Sequence, residues 1–272
     1  MRRSLKLRCI LLFLRHIECV GWLTPQCLMV SRRTFLMITG GALLLPRQLR
    51  AADSTPDFPP MLDHILLGCS DLHQGIAFVE QRTGVRPAIG GVHPGRGTRN
   101  ALLSLGELHY LEVIAPDPAQ SSLPASVPSL LNTLRHLAVP RIVQWAAHTS
   151  DVEALAAKLR EAGIAFQGPT PGSRKRPDGR VLNWQTLNLD DNRSGLLPFF
   201  IQWGAGSLHP SIDAPAGCKL KSFAAGDADS SELGALFRRL GLQVHVENAA
   251  GPLLKALIVG PNGQLDLTSR VA

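Results

Sequence analysis

His64, in Leu62-Asp63-His64-Ile65, and Glu112, in His109-Tyr110-Leu111-Glu112-Val113-Ile114, are the residues of this chain best suited by type and setting to do chemistry. Each sits in an apolar run. A carboxylate is expensive to bury without a partner, so Glu112 needs a partner or a site of use. A neutral imidazole and a carboxylate are together good ligands for Zn, Fe, Mn or Ni. His64 by itself is as well explained as a hydrogen-bonded core histidine. Tyr110, the only tyrosine, shares strand parity with Glu112 and is expected to line the same pocket.

Other chemistries lack their residues. There is no phosphate-binding glycine loop, no Gly-x-Ser-x-Gly elbow and no His-Glu-x-x-His helix. No Cys-x-x-Cys pair exists, which removes zinc ribbons and thioredoxin-type motifs. After the first 52 residues only Cys69 and Cys218 remain. Two separate buried thiols fit them better than a disulfide.

The net charge of +7 comes from the N-terminal segment. Residues 1–52 hold nine of the 28 basic residues and one of the 21 acidic ones, leaving 19 basic and 20 acidic, a net of −1, in the rest. A near-neutral mature chain gives no electrostatic case for nucleic acid or an anionic membrane surface. Ser31-Arg32-Arg33-Thr34-Phe35-Leu36, the apolar stretch Met37–Leu45, and small residues at Ala51 and Ala52 follow the order of a twin-arginine export signal. The apolar stretch is about half of the ~20 residues that a membrane-spanning helix needs. We therefore expect a signal over 29–52, cleavage near Ala51 or Ala52, no stable membrane anchor, and a periplasmic or secreted protein that engages the twin-arginine machinery. Residues 1–28 do not fit that order, and Met29 is the expected true start.

The elements that must position His64 and Glu112 recur along the chain. A short apolar strand, Leu62–Cys69, runs into a Ser70-Asp71 helix cap, a helix to Thr83-Gly84, and strands over 101–105 and 109–114. The pattern returns as Arg141–His148, Ser150-Asp151, a helix from Val152 to Ala162, and strands over 164–167, 181–189 and 198–203. A poorer third copy starts near Leu220, with a helix over 230–240 and strands near 242–247, 254–259 and 264–268. A strand–helix–strands order repeated three times is strong evidence of an α+β fold built from βαβββ units. The basic, proline- and glycine-rich stretch from Pro169 to Arg180 reads as a loop.

A repeated βαβββ unit opening on Leu62-Asp63-His64 resembles the glyoxalase-like domains of the vicinal-oxygen-chelate superfamily. The resemblance covers 61–203 and reaches 204–272, the third, partial unit, more weakly. It implies curled, half-barrel mixed sheets around a cleft, each paired unit giving one metal ligand from its first strand and one from its last. Aligning Ser70-Asp71 with Ser150-Asp151 puts Gln144 in the place of His64. Aligning Tyr110-Leu111-Glu112-Val113 with Phe200-Ile201-Gln202-Trp203 puts Gln202 in the place of Glu112. The implied set is His64, Glu112, Gln144 and Gln202 around a divalent ion, with Glu112 the candidate catalytic residue. Gln202 departs from the carboxylate usual in the family's metal enzymes, and both glutamines read more readily as hydrogen-bonding pocket groups. His148 shares parity with Gln144 but lies about 13 Å along the strand, so it is expected on the rim. His93-Pro94-Gly95-Arg96-Gly97-Thr98-Arg99-Asn100 resembles the family's stretch before the second strand, which makes Arg96 and Arg99 pocket candidates. A solvated turn remains open for both and is preferred for Arg174, Lys175 and Arg176.

Two functions follow from the resemblance. One is a metal-dependent lyase, isomerase or dioxygenase, in which the ion acts as a Lewis acid on neighbouring oxygens of a small substrate. The other is a binding protein that holds a small molecule in the same cleft without turnover. The fold alone does not choose between them.

Overall fold

A computed structural model describes residues 57–120 and 129–270. The segments 1–28 and 29–52 lie outside the described residues. The first unit is β1 (Leu62–Gly68), α1 (Leu72–Thr83), β2 (Ala88–His93), β3 (Thr98–Gly106) and β4 (His109–Pro116). A short helix, α2 (Ser129–Arg135), precedes the second unit: β5 (Arg141–His148), α3 (Val152–Glu161), β6 (Phe166–Lys175), β7 (Val181–Leu189) and β8 (Phe199–Trp203). After α4 (Pro210–Asp213) come β9 (Lys219–Asp227), α5 (Ser230–Arg239), β10 (His245–Asn248), β11 (Leu253–Gly260) and β12 (Gly263–Thr268).

The same local device starts the helix of each unit. Asp71, Asp151 and Asp229 accept hydrogen bonds from the backbone N–H of Gln74, Ala154 and Glu232, each at 2.9 Å. Each aspartate thereby satisfies an amide that the first turn leaves without a partner. Basic residues in the last turns suit the negative end of the helix dipole. In α1 the buried positions Leu72, Ile76, Val79 and Thr83 form one stripe against the sheet. Gly75 lets that stripe come close, because a Cβ there would stand 2.5 Å from Cys69 Sγ and 2.7 Å from Val113 Cγ1.

The first two units join into one eight-stranded sheet, ordered β2-β3-β4-β1-β5-β8-β7-β6. In each unit the last strand lies parallel to the first, β4 on β1 and β8 on β5. The two first strands meet antiparallel at the centre. The sheet curls into a half-barrel, and its two edges approach one another. A Cβ on Gly91 of β2 would stand 2.8 Å from the Lys175 carbonyl oxygen of β6.

The third unit follows the same chain order but pairs differently. Its sheet runs β10-β9-β11-β12, so its first strand lies beside its second, in parallel. This sheet packs on the convex face of the large one. There Phe223 meets Trp145 with ring centroids 5.0 Å apart, both rings fully buried. One continuous apolar core joins α1, α3, α5 and both sheets, which leaves the concave face free for polar groups.

Four elements depart from the expectations above. β2, α2 and α4 were not anticipated. The 169–180 loop is instead the continuation of β6 to Lys175 and a short turn. β6 is an edge strand that pairs with β7 alone. An edge tolerates Pro169 and Pro171 because its open side needs no N–H donors. Cys69 and Cys218 are both buried and free.

Candidate active site

The concave face encloses a cleft of about 360 Å³. Strand parity decides what faces it: His64 and Leu66 from β1, Tyr110, Glu112 and Ile114 from β4, and Thr98 and Asn100 from β3. Phe199, Ile201 and Trp203 line it from β8, Trp184 and Thr186 from β7, and Leu130 of α2 stands beside it.

At its floor lies a line of three ionisable groups, all buried: Asp63, His64 and Glu112. Neighbouring residues in a regular strand point to opposite faces. Here a bulge breaks the rule, since the β1–β5 register slips between Leu62 and His64 and makes Asp63 the extra residue. Asp63 Oδ1 lies 2.7 Å from His64 Nδ1. Its Oδ2 accepts from Trp203 Nε1 at 3.0 Å and lies 3.3 Å from His209 Nε2. His209 Nδ1 accepts from the Ser211 backbone N–H, so its Nε2 carries the proton that Asp63 receives. The far nitrogen of His64, Nε2, lies 3.3 Å from Glu112 Oε2. The His64 ring stacks on Tyr110, with centroids 4.5 Å apart at 20°.

Glu112 is held from its other side. Asn100 Nδ2 donates to Oε1 at 2.7 Å, and His93 Nε2 lies 3.6 Å from the same oxygen. His93 Nδ1 contacts Thr98 Oγ1 at 2.9 Å.

These contacts set the charges. Burial alone would lower the His64 pKa, but the hydrogen bonds to Asp63 and Glu112 outweigh it and raise it to about 9. Burial would raise Glu112, but the His64 hydrogen bond and nearby His93 hold it down at about 2. Asp63, also pushed up by burial, is kept well below the usual carboxylate range by His209 and His64. Burial lowers His93, which favours its neutral form. Two carboxylates thus face an imidazolium, and the cleft lining adds a buried cation, Arg174, only 3% exposed, and an exposed one, Arg96.

The sequence-derived candidates divide. His64 and Glu112 meet, Tyr110 lines the cleft, and Arg96 stands exposed at its lining. Gln144 lines it from β5 without a hydrogen bond to His64 or Glu112 among the described residues. Gln202 is elsewhere. Its Oε1 accepts from the Val152 backbone N–H at 2.7 Å, so it caps the start of α3 on the convex side. The register explains the difference. Leu66 pairs with Glu112, and Ala146, its counterpart 80 residues on, pairs with Phe199. Phe199 therefore occupies the place that the alignment gave to Gln202, three residues away, and an odd slip in a strand reverses the face. Arg99 also points away, on the Cys69 side of β3, because Thr98 and Asn100 on either side of it face the cleft. Arg174, expected on a solvated turn, is inside. His148 ends β5 half-buried and does not line the cleft.

Sequence reasoning missed Asp63, His93, Asn100, Trp203 and His209. Asp63 and His93 stood inside the quoted motifs, and their polar character in apolar or glycine-rich strands was the available signal. His209 had none, because α4 reaches the site only through tertiary packing.

The implied four-donor metal set does not form. His64 and Glu112 offer two donors, with Phe199 where a fourth would stand. Among the described residues no three His, Cys, Asp or Glu side chains are grouped so as to hold an ion.

Residues 62–241 match the family described as a glyoxalase-like domain. That is more than half of the chain, and the chain belongs to this family. Among solved structures, a hypothetical protein from Staphylococcus aureus is similar at 18% identity, over 76% of this chain and 84% of that one, with a TM-score of 0.52. A methylmalonyl-CoA epimerase from Mycobacterium tuberculosis is 20% identical over 55% of this chain and 90% of its own, at a TM-score of 0.37. A methylmalonyl-CoA epimerase in complex with methylmalonyl-CoA and NH4+ is 21% identical over 56% and 99%, at 0.40. No curated protein matches the chain. The Staphylococcus aureus structure bears out the fold.

Proposed function

We propose that the chain is an enzyme of the isomerase or lyase kind that moves a proton on a small molecule bound in the cleft. The observation that carries this reading is the buried line Asp63–His64–Glu112, whose reactive end opens into an apolar-walled pocket. Asp63 fixes the His64 ring and keeps it protonated, so that Nε2–H is a donor aimed at the ligand. A substrate carbonyl oxygen that takes over this donor stabilises negative charge as it develops there. The same exchange frees Glu112 Oε2 from His64 and raises its affinity for a proton. Glu112 can then accept the hydrogen from the carbon next to the carbonyl, while Asn100 holds its other oxygen.

The test is solvent-hydrogen exchange. The full chain is incubated in D2O with small molecules that carry a hydrogen beside a carbonyl group, and deuterium at that carbon is followed by NMR. Wild type should exchange, and His64→Gln and Glu112→Ala should lose exchange by at least about a hundredfold. No exchange by wild type with any such compound would count against proton transfer.

A second reading, a divalent ion on His64 and Glu112 with Gln144 beside it, has one observation in its favour. Nδ1 of His64 is tied to the Asp63 carboxylate, the arrangement that orients metal-binding imidazoles. Such an ion would supply Lewis-acid polarisation of substrate oxygens. Metal analysis of the purified protein decides it: one ion per chain supports the metal reading, and its persistent absence supports metal-free proton transfer or plain binding.

Export by the twin-arginine route is proposed as well. It is supported by the Ser31–Leu36 pattern, which lies outside the described residues.

A further inference from the structure

Two buried polar atoms of cleft-lining residues have no hydrogen-bond partner among the described residues: Nη1 of Arg174 and Oδ1 of Asn100. They belong to different strands, β6 and β3, and they converge. A Cβ built on Gly90 would stand 2.7 Å from Arg174 Nη1 and 2.4 Å from Asn100 Oδ1, so the two atoms are at most about 5.1 Å apart. Gly90, in β2, thus leaves room for a donor and an acceptor side by side. Asn100 cannot exchange its ends to correct this, because its Nδ2 is committed to Glu112 Oε1. Arg174 forms no ion pair among the described residues. Edge strands β2 and β6 bring it in from a stretch whose neighbours, Lys175 and Arg176, stay outside; Arg176 pairs with Asp213 at 2.8 Å.

Glu112 is the nearest opposing charge named for Arg174 but makes no ion pair with it, and a planar anion gripped by two parallel N–H groups would neutralise the buried guanidinium directly. The oxygen of Asn100 asks for a donor next to that anion. Trp184, Trp203, Phe199 and Leu66 supply large apolar surfaces to the wall, beside polar groups such as Gln144 and Thr186. The volume of about 360 Å³ lies at the small end of ligand pockets, roughly 300–1,000 Å³. The geometry points to a carboxylate subsite: Arg174 grips the carboxylate of a small hydroxycarboxylic acid with an apolar or aromatic body, and Asn100 Oδ1 accepts from the neighbouring hydroxyl. Arg96, exposed beside the cleft, adds a positive charge on the approach. The inference rests on the cleft being a small-molecule site but not on the proton-transfer step, since it names only what is gripped and by which atoms.

The experiment is a binding titration that needs no turnover. Quenching of tryptophan fluorescence, with Trp184 and Trp203 in the wall, is followed as the full chain is titrated with 3-phenyllactate. The controls are its neutral amide and 3-phenylpropionate, which lacks the hydroxyl. Wild type should bind 3-phenyllactate at least tenfold more tightly than the amide and several-fold more tightly than 3-phenylpropionate. Arg174→Met should abolish the preference for the acid while melting at or above the wild-type temperature, because it removes a buried charge that has no ion-pair partner among the described residues. A merely structural arginine would instead lower the melting temperature. Gly90→Ala, which places a methyl group between the two atoms, should weaken acid binding while Arg174 remains. Wild type that binds no 3-phenyllactate at millimolar concentration, or Arg174→Met that binds it as wild type does, overturns the assignment. Acid-selective binding by a wild type that shows no hydrogen exchange would separate the failure of the proton-transfer reading from this one.

Discussion

Asp63 and His64 are neighbours in one strand, yet their side chains meet at 2.7 Å on the same side of the sheet, because a bulge in β1 falls between Leu62 and His64. That contact fixes which imidazole nitrogen faces the cleft and keeps the ring charged. The rest of the site is arranged around it, with Trp203 and His209 completing the Asp63 shell and Glu112 receiving the far nitrogen.

Removing Asp63 should therefore be costly. Asp63→Ala leaves a buried imidazolium, a tryptophan N–H and a histidine N–H without their acceptor. Breaking a buried pair from one side destabilises by about 3–5 kcal/mol. Urea unfolding should show a midpoint lowered to match, and a midpoint within error of wild type would remove Asp63 from its anchoring role.

The same pair predicts a pH dependence. His64 is raised from an ordinary 6.5 to about 9 in the folded chain. Its stabilisation is fully present below 6.5, where folded and unfolded forms both hold the proton. It is lost progressively as pH rises toward 9, because the unfolded form gives up its proton first. Unfolding free energy of wild type should fall over that window, and His64→Gln should flatten the fall. An NMR titration showing His64 neutral at pH 7.5 would contradict the charge assignment.

Gln202 and Glu112 should separate cleanly. Gln202→Ala removes a cap from α3 and should cost about 1 kcal/mol of stability while leaving ligand binding in the cleft unchanged. Glu112→Ala should damage function more than His64→Gln does, since it deletes the only carboxylate that lines the cleft among the described residues. Loss of binding in Gln202→Ala without loss of stability would restore Gln202 to the site.

For the leader, Arg32→Lys combined with Arg33→Lys should leave the precursor in the cytoplasm, because the paired arginines are the address that is read. Cell fractionation measures this, and N-terminal sequencing of the exported form should start near residue 52. Unchanged export of the double variant would refute the twin-arginine assignment.

Much of this protein is determined locally and is legible in the sequence. The three aspartate caps, the helix stripes that follow them and the apolar runs of β1, β4, β5 and β7 depend on residues a few positions apart, so the repeated strand–helix–strands order can be read directly. His64 and Glu112 stand out for a local reason too, being ionisable groups in apolar strands that demand partners. What the tertiary structure alone decided is which way side chains face and which distant strands touch. A strand has a period of two, so the three-residue slip between the aligned and the actual register moved Gln202 from the cleft to a helix cap. One extra residue at Asp63 moved a carboxylate the other way, into the site. Arg174 reads as a solvated basic turn among prolines and glycines, and it is a buried cation only because the curl of eight strands brings the edges β2 and β6 together across Gly90 and Gly91. Side-chain type is written along the chain, whereas the face it takes depends on counts of residues between partners that no short stretch contains.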